Sequence, residues 1–141
     1  MARTIREIMT PDPKTARPDT PIAEVAQMMK DEDVGSIPVV EGGNLVRIVT
    51  DRDLTILALA QRRPADAPVR DFMTTRPETA GPDTTIHAAA QIMQDHQIRR
   101  LPVTDGDRLV GIVSLGDLAV DTESEGLKAE TLEEVSTPTT R

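Results

Sequence analysis

Hydrophobic residues follow helical spacing in two stretches of the chain. Their intervals of three and four residues place them on one side of a helix. Thr20 and Thr84 are predicted to be the N-caps of these helices, and Pro21 suits the first helical turn. The pattern predicts two amphipathic helices, which bury Ile22, Val25, Ala26 and Met29 in the first case and Ile86, Ala89, Ala90 and Met93 in the second.

Each predicted helix is followed by two runs rich in β-branched residues that flank a glycine-containing turn. The runs read SIPVVEGGNLVRIV at 36–49 and RLPVTDGDRLVGIV at 100–113, and each predicts a β-hairpin. Thr50 and Ser114 end the hairpins and are placed to cap another helix, LTILALA in the first stretch and the shorter LAV in the second. A short extended strand is expected before each unit.

An internal duplication explains this order. Moving the sequence against itself by 64 positions aligns residues 5–54 with 69–118 without a gap, and roughly 23 of the 50 pairs are identical. A unit of about 60 residues buries too little surface to be stable alone, so the two copies are expected to share a core. The sequence therefore predicts an α/β protein whose two β-α-β-β-α repeats pack through their small sheets.

The duplication also sets the expected boundaries. The first repeat covers 1–60, a proline-containing linker covers 61–68, and the second repeat covers 69–120. Residues 121–141 hold six acidic and two basic side chains among few apolar ones, which predicts a disordered tail.

Composition excludes several classes of function. The net charge is −8 and Phe72 is the single aromatic residue, so the chain lacks the basic surface and stacking rings that bind nucleic acid. It has no cysteine and only two histidines, His87 and His96, which argues against a metal centre. No apolar run approaches the roughly 18 residues that span a bilayer, so a cytoplasmic protein without membrane contact is expected.

No catalytic constellation is apparent in the sequence. No serine or cysteine nucleophile is matched with a histidine, so the chain is not expected to be an enzyme or to carry a cofactor. The aspartate pairs at 51–53 and 105–107 lack the glutamate that closes a calcium loop, and no glycine-rich phosphate loop occurs.

Both copies carry a hydroxyl residue and an aspartate where the hairpin meets the following helix. Thr50–Asp53 and Ser114–Asp117 each place a hydroxyl residue three positions before an aspartate. A helix start suits an anion, and the aspartate can accept hydrogen bonds from a ribose diol. Ile48 and Ile112, two positions earlier, would form the floor under a purine. The alternative is that each pair is only a helix cap, which stabilises by about 1 kcal/mol.

A basic pair occurs in the second copy alone. Arg99 and Arg100 stand in IRRLP at 98–102, whereas the corresponding VGSIP at 34–38 has no charge. The two arginines are either solvated or act as a phosphate clamp through their guanidinium groups. Two ligand sites in this chain would therefore differ chemically.

These motifs resemble a known family. The doubled proline-valine strand, the LVRIVTDRD and LVGIVSLGD segments, and the upstream DTPI and DTTI are similar to a tandem pair of cystathionine-β-synthase (CBS) domains, or Bateman module, over residues 3–120. The resemblance implies two pseudo-twofold-related repeats, a homodimer, and clefts that bind an adenosyl compound such as AMP, ADP, ATP, NAD or S-adenosylmethionine. It also implies regulation of a separate effector protein, the alternative being a ligand-free dimeric scaffold or stress-associated protein.

The resemblance assigns residues to two clefts, each drawing its ribose-holding aspartate from one repeat and much of its base pocket from the other. One would combine Ile48, Thr50 and Asp53 with Ile98, Arg99 and Arg100, the arginines facing phosphate. The other would combine Ile112, Ser114 and Asp117 with Lys14, Val34, Gly35 and Ser36. The family's glycine before the strand end is present as Gly111 but replaced by Arg47 in the first copy, which would crowd that cleft or add positive charge.

Overall fold

The computed structural model of the protein describes residues 3–73 and 76–119, so the predicted disorder of 121–141 lies outside the described residues. Two 3₁₀ turns, Ile5–Glu7 and Val69–Phe72, accompany the regular elements. The strands are β1 (Thr10–Pro11), β2 (Ser36–Glu41), β3 (Asn44–Thr50), β4 (Arg100–Asp105) and β5 (Arg108–Ser114). The helices are α1 (Ile22–Glu32), α2 (Asp51–Asp53, continued by a π-helix at Leu54–Leu59), α3 (Ile86–His96) and α4 (115–119).

The two amphipathic helices form where the hydrophobic spacing predicts them. All four predicted residues of α3 are buried, whereas α1 buries Ile22, Val25 and Met29 and leaves Ala26 exposed. The prediction for Ala26 was wrong because the buried stripe of α1 is narrower than that of α3.

The predicted helix caps lie one residue too early. The capping positions are Pro21 and Thr85, and the Thr85 hydroxyl accepts a hydrogen bond from the Ala88 N–H at 3.1 Å. Thr20 is buried instead, and its hydroxyl accepts from the Arg17 N–H at 2.9 Å. The assignments of Thr20 and Thr84 as caps, and of Pro21 to the first helical turn, were therefore wrong.

Backbone carbonyls from the predicted linker replace the missing side-chain cap of α1. The N–H of Ile22 donates to the carbonyl of Ala67 at 2.9 Å, and that of Ala23 donates to Ala65 at 3.0 Å. Proline at the capping position has no hydroxyl, so these first N–H groups of the helix need acceptors from elsewhere. Segment 61–68 thus stabilises the start of α1.

Both hairpins form with the same register. Ser36 pairs with Thr50 in the first, and Arg100 pairs with Ser114 in the second. Positive φ angles at Gly42, Gly43 and Gly106 allow the two-residue turns that connect the strands. The hydroxyl residue that ends each hairpin is consequently fixed opposite the first residue of the preceding strand.

The chain divides into two compact units, which we call unit A (Lys14–Pro77) and unit B (Met1–Pro13 with Glu78–Arg141). In unit B the Ile5 N–H donates to the Thr84 carbonyl at 2.9 Å, and β1 pairs with β5. In unit A the Val69 N–H donates to the Thr20 carbonyl at 2.9 Å. Unit B therefore includes the start of the first repeat, and unit A includes the start of the second repeat.

Each unit buries a hydrophobic cluster of its own. The cluster of unit A consists of Ala16, Ile22, Val25, Met29, Ile37, Val39, Val49, Ala58, Ala67, Val69 and Phe72. That of unit B consists of Ile5, Ala80, Ile86, Ala89, Ala90, Met93, Leu101, Val103, Val113 and Leu118. The α/β class and the duplication are confirmed, and the packing of one repeat against the other stays a prediction. Within the described residues, none of the helices is long and apolar enough to cross a membrane.

Candidate functional site

The two strand-to-helix junctions have nearly identical geometry. At the first, the Thr50 N–H donates to Asp53 Oδ2 at 3.0 Å, and the Asp53 N–H donates to Thr50 Oγ1 at 3.0 Å. At the second, the Ser114 N–H donates to Asp117 Oδ2 at 2.9 Å, and the Asp117 N–H donates to Ser114 Oγ at 3.1 Å. These reciprocal bonds form a capping box, so the predicted caps at Thr50 and Ser114 are confirmed.

Capping occupies only one oxygen of each carboxylate. Oδ2 of Asp53 and of Asp117 accepts from the backbone, while Oδ1 of neither has a hydrogen-bond partner among the described residues. Both side chains belong to half-buried residues. A fixed carboxylate with one uncommitted oxygen is suited to accept hydrogen bonds from hydroxyl groups of a ligand.

In unit A, residues 34–36 lie directly beside the Thr50–Asp53 junction. Ser36 is the register partner of Thr50, and the Asp51 N–H donates to the Gly35 carbonyl at 2.9 Å. Val34, Gly35 and Ser36 are half-buried. This part of unit A therefore presents small and neutral side chains next to the aspartate.

In unit B, the basic pair takes the corresponding position. Arg100 is the register partner of Ser114, and the Leu115 N–H donates to the Arg99 carbonyl at 2.8 Å. Ile98 and Arg100 are half-buried and Arg99 is exposed. The two junctions thus share a carboxylate and a hydroxyl, but the residue paired with the hydroxyl residue is arginine at the second junction and serine at the first.

The predicted apolar floors differ between the units. Ile48 is half-buried, whereas Ile112 is 4% exposed and offers little surface to a ligand. Lys14 is exposed at the start of unit A. Arg47, which replaces the family's glycine, donates from Nη1 to the Val46 carbonyl at 2.8 Å. The structure brings Ser36 beside Thr50 and Arg100 beside Ser114, and the combination of residues across the repeats stays a prediction.

The sequence predicted a short strand before each unit, but not that such a strand would cover Gly111. β1 pairs with β5 so that Pro11 faces Gly111, and a Cβ atom at Gly111 would lie 2.6 Å from Met9 Sδ and 3.0 Å from the Thr10 carbonyl oxygen. Such a separation is too short for a methyl group. The repeated methionine and threonine at 9–10 and 73–74 were the available signal.

The remaining ionisable groups of the described residues do not form a metal site. Within residues 3–73 and 76–119, no cluster of three or more histidine, cysteine or acidic side chains is arranged to hold a metal ion. His87 is exposed, and His96 Nε2 lies 3.4 Å from Glu78 Oε1. Hydrogen bonds from the Thr4 N–H and from Arg3 lower the pKa of Glu7 below its ordinary value.

Known proteins with similar sequences and folds point to one family. A family model described as CBS domain matches twice, at residues 5–59 and 69–120. The CBS domain-containing protein YhcV of Bacillus subtilis is 41% identical over 133 residues, which cover 94% of this chain and 95% of that protein.

Two similar solved structures contain bound ligands. CBSX2 in complex with AMP has a TM-score of 0.76 and 25% identity, covering 89% of this chain and 99% of that one. The CBS domain pair of protein MJ0100 in complex with 5′-methylthioadenosine and S-adenosyl-L-methionine has a TM-score of 0.74 and 28% identity, again covering 89% and 99%. Because the family match spans both repeats and the relative covers nearly the whole chain, this protein belongs to the CBS domain family and carries two copies of the domain.

Proposed function

We propose that the protein is a regulatory module that binds an adenosyl compound at its strand-to-helix junctions and signals to a separate effector protein. The observation that carries this proposal is that the two carboxylate oxygens of Asp53, and likewise those of Asp117, have different roles. One carboxylate oxygen is held by the backbone N–H of the preceding hydroxyl residue, and the other is uncommitted among the described residues.

Ribose is the ligand group that suits such a carboxylate. Its neighbouring 2′- and 3′-hydroxyls both donate hydrogen bonds, and each bond to a charged acceptor contributes about 1.5–3 kcal/mol. The capping box holds the carboxylate in place before the ligand arrives, so little side-chain entropy is lost on binding. The AMP bound to CBSX2 and the S-adenosyl-L-methionine bound to MJ0100 support an adenosyl ligand here.

The basic pair of unit B favours ligands that carry phosphate. Arg100 is half-buried beside Ser114, and Ser36 occupies the equivalent register position beside Thr50. We expect Arg100→Ser to weaken the binding of AMP by about tenfold and to leave the binding of adenosine nearly unchanged, because only AMP loses a guanidinium–phosphate contact. Isothermal titration calorimetry with both compounds measures the difference, and equal losses for the two would contradict a phosphate role.

Calorimetry on variants of the two aspartates tests the proposal. AMP, ADP, ATP, NAD and S-adenosylmethionine are titrated into the wild type, Asp53→Asn and Asp117→Asn. Asparagine can still accept the capping hydrogen bond, but its amide nitrogen cannot accept one from a ribose hydroxyl. We expect binding of at least one of these compounds to weaken by about tenfold or more in at least one variant.

A matched control separates ligand contact from helix capping. Thr85→Ala removes the cap of α3, which is not part of either junction. It should lower stability by about 1 kcal/mol and leave ligand affinity unchanged. Wild-type affinity in both aspartate variants, or no binding of any of the five compounds to the wild type, would refute the proposed ribose contact.

A ligand-free homodimeric scaffold is the second candidate function. It is favoured by Ile56 and Leu59, which are 46% and 74% exposed and offer apolar surface to another protein. This function predicts a stable dimer whose melting temperature does not change with any adenosyl compound. Steady hydrolysis of a nucleotide by the pure protein would contradict both candidates, since neither assigns it catalysis.

A further inference from the structure

We propose that Met9 is a site of reversible oxidation by peroxide, and that its sulfoxide releases β1 from β5. The thioether of Met9 lies against Gly111 of β5, directly before the two residues that form β1. Both steps take place in unit B and require no bound ligand.

The Met9 side chain packs closely against the backbone of β5. A Cβ atom at Gly111 would lie 2.6 Å from Met9 Sδ and 3.0 Å from Met9 Cγ, so the thioether fills the space that a side chain at 111 would need. Gly111 is buried, whereas Met9 is half-buried and packs against the hydrophobic cluster of unit B. Met9 is therefore tightly packed and still within reach of a small oxidant in water.

Among the described residues, Met9 is the main side-chain anchor of β1. Thr10 and Pro11, the two residues of the strand, are both exposed, and proline has no N–H to donate to β5. Before the strand, the Met9 N–H donates to the Ile5 carbonyl at 2.9 Å, which fixes the chain up to this point. If the Met9 side chain leaves its place, β1 keeps little that holds it to β5.

Peroxide converts a thioether into a sulfoxide by transfer of one oxygen atom. The O–O bond of hydrogen peroxide breaks and an S–O bond forms, while the sulfur is oxidised by two electrons and the peroxide is reduced to water. The product is larger and polar, and a polar group is unfavourable against the apolar side chains of the cluster of unit B. The oxidised side chain is therefore expected to turn toward water.

The corresponding methionine of unit A has a different environment. The offset of 64 residues aligns Met9 with Met73 and Gly111 with Arg47. Met73 is half-buried beside the cluster of unit A, but Arg47 has a side chain where Gly111 has none. The close approach of a thioether to this strand position is thus specific to unit B, and Met73 serves as an internal control.

Release of β1 would uncover the strand that carries the second junction. Thr10 is the register partner of Ile112, which is only 4% exposed and stands two residues before Ser114. Oxidation of Met9 would therefore change the environment of a strand that ends at this junction, without any reaction at the junction itself.

Hydrogen exchange of the full chain, before and after treatment with hydrogen peroxide, tests the inference. Peptide mapping should find sulfoxide at Met9, while Met29 and Met93, which are 7% and 0% exposed, stay reduced. Exchange in β1 and β5 should become about tenfold faster, and exchange in the β2–β3 hairpin should not change. Methionine sulfoxide reductase should restore the original rates.

Substitutions separate the sulfur from the packing. Met9→Leu keeps an apolar side chain that peroxide cannot oxidise, so treatment should leave exchange in β1 and β5 unchanged. Met9→Gln introduces a polar side chain of similar length and should speed this exchange about tenfold without peroxide. Met73→Leu is the matched control and should respond to peroxide as the wild type does.

Met9 sulfoxide that forms without faster exchange in β1 and β5 would overturn the inference, and so would a response of Met9→Leu equal to that of the wild type. The same holds if Met9 stays reduced, or if Met29 and Met93 are oxidised together with it. Equally faster exchange in the β2–β3 hairpin would show that the whole protein unfolds, which also contradicts a local release of β1.

Discussion

Asp53 and Asp117 each cap a helix through one carboxylate oxygen and keep the other uncommitted among the described residues. The sequence predicted the cap and left open whether a ribose contact is added to it, because a hydroxyl residue three positions before an aspartate fits a cap with or without a ligand. In the structure the cap uses only Oδ2, so the two roles are compatible. The pattern is local in sequence, which is why the two caps were predictable without knowledge of the tertiary structure.

Gly111 provides a test of the packing beside the second junction. Alanine in place of a strand glycine normally gains about 0.5–1 kcal/mol, but here the new methyl group would meet Met9 Sδ at 2.6 Å and the Thr10 backbone oxygen at 3.0 Å. We expect Gly111→Ala to destabilise by about 1–3 kcal/mol in urea unfolding, because the backbone of β1 must move.

Gly81 is the matched control for this substitution. A Cβ atom there would lie 3.9 Å from the Thr104 carbonyl oxygen, an ordinary contact distance. Gly81→Ala should change the free energy of unfolding by no more than about 0.5 kcal/mol. Equal losses for the two variants would show that the approach of β1 to β5 is not what requires glycine at 111.

Glu7 makes the stability of unit B depend on pH. Hydrogen bonds from the Thr4 N–H and from Arg3 hold the pKa of this exposed carboxyl below its ordinary value in the folded protein. Its contribution is therefore present above the ordinary glutamate pKa and is lost as the pH falls through the lowered value. Between about pH 5 and about pH 3, the wild type should lose more stability than Glu7→Gln in urea unfolding. Parallel pH profiles for the two proteins would contradict this contribution.

At the scale of elements, structure that depends on local sequence patterns was predicted correctly. Structure that depends on contacts between distant parts of the sequence was not. The 3.6-residue period located α1 and α3, and glycines at the turns located both hairpins. The start of α1 was misplaced because its first N–H groups bond to carbonyls of Ala65 and Ala67, more than 40 residues away. A short strand was expected before the first unit, but its pairing with β5 was not predicted, because the two strands lie about 100 residues apart in the sequence.

The N-terminal segment is expected to be essential to the stability of unit B. Ile5 is fully buried in the cluster of the second repeat although it precedes the first repeat's helix. Ile5→Ala should therefore destabilise by about 2–5 kcal/mol, through the lost burial and the cavity that remains. Ile56→Ala, at a side chain that is 46% exposed, should cost less than about 1 kcal/mol. Similar losses in thermal or urea unfolding would contradict the packing of the N-terminal segment.

For the whole molecule, the duplication predicted more than composition did. Two copies of one motif led to the α/β repeat and to the family, and YhcV matches over nearly the full chain. The duplication did not reveal that unit B takes its first segment from the N-terminus, because residues 3–13 and 78–119 are contiguous only in the folded chain. Nor did it predict the difference in exposure between Ile48 and Ile112, which depends on packing by distant segments.

The central claim is that the aspartates recognise a ribose diol, and calorimetry with AMP and 2′-deoxy-AMP tests it most directly. We predict that the wild type binds AMP at least about tenfold more tightly than 2′-deoxy-AMP, because the deoxy compound lacks one donor to the carboxylate. The Asp53→Asn/Asp117→Asn double variant should bind the two compounds with similar, weak affinity. Equal affinities in the wild type, or full discrimination retained by the double variant, would contradict the account.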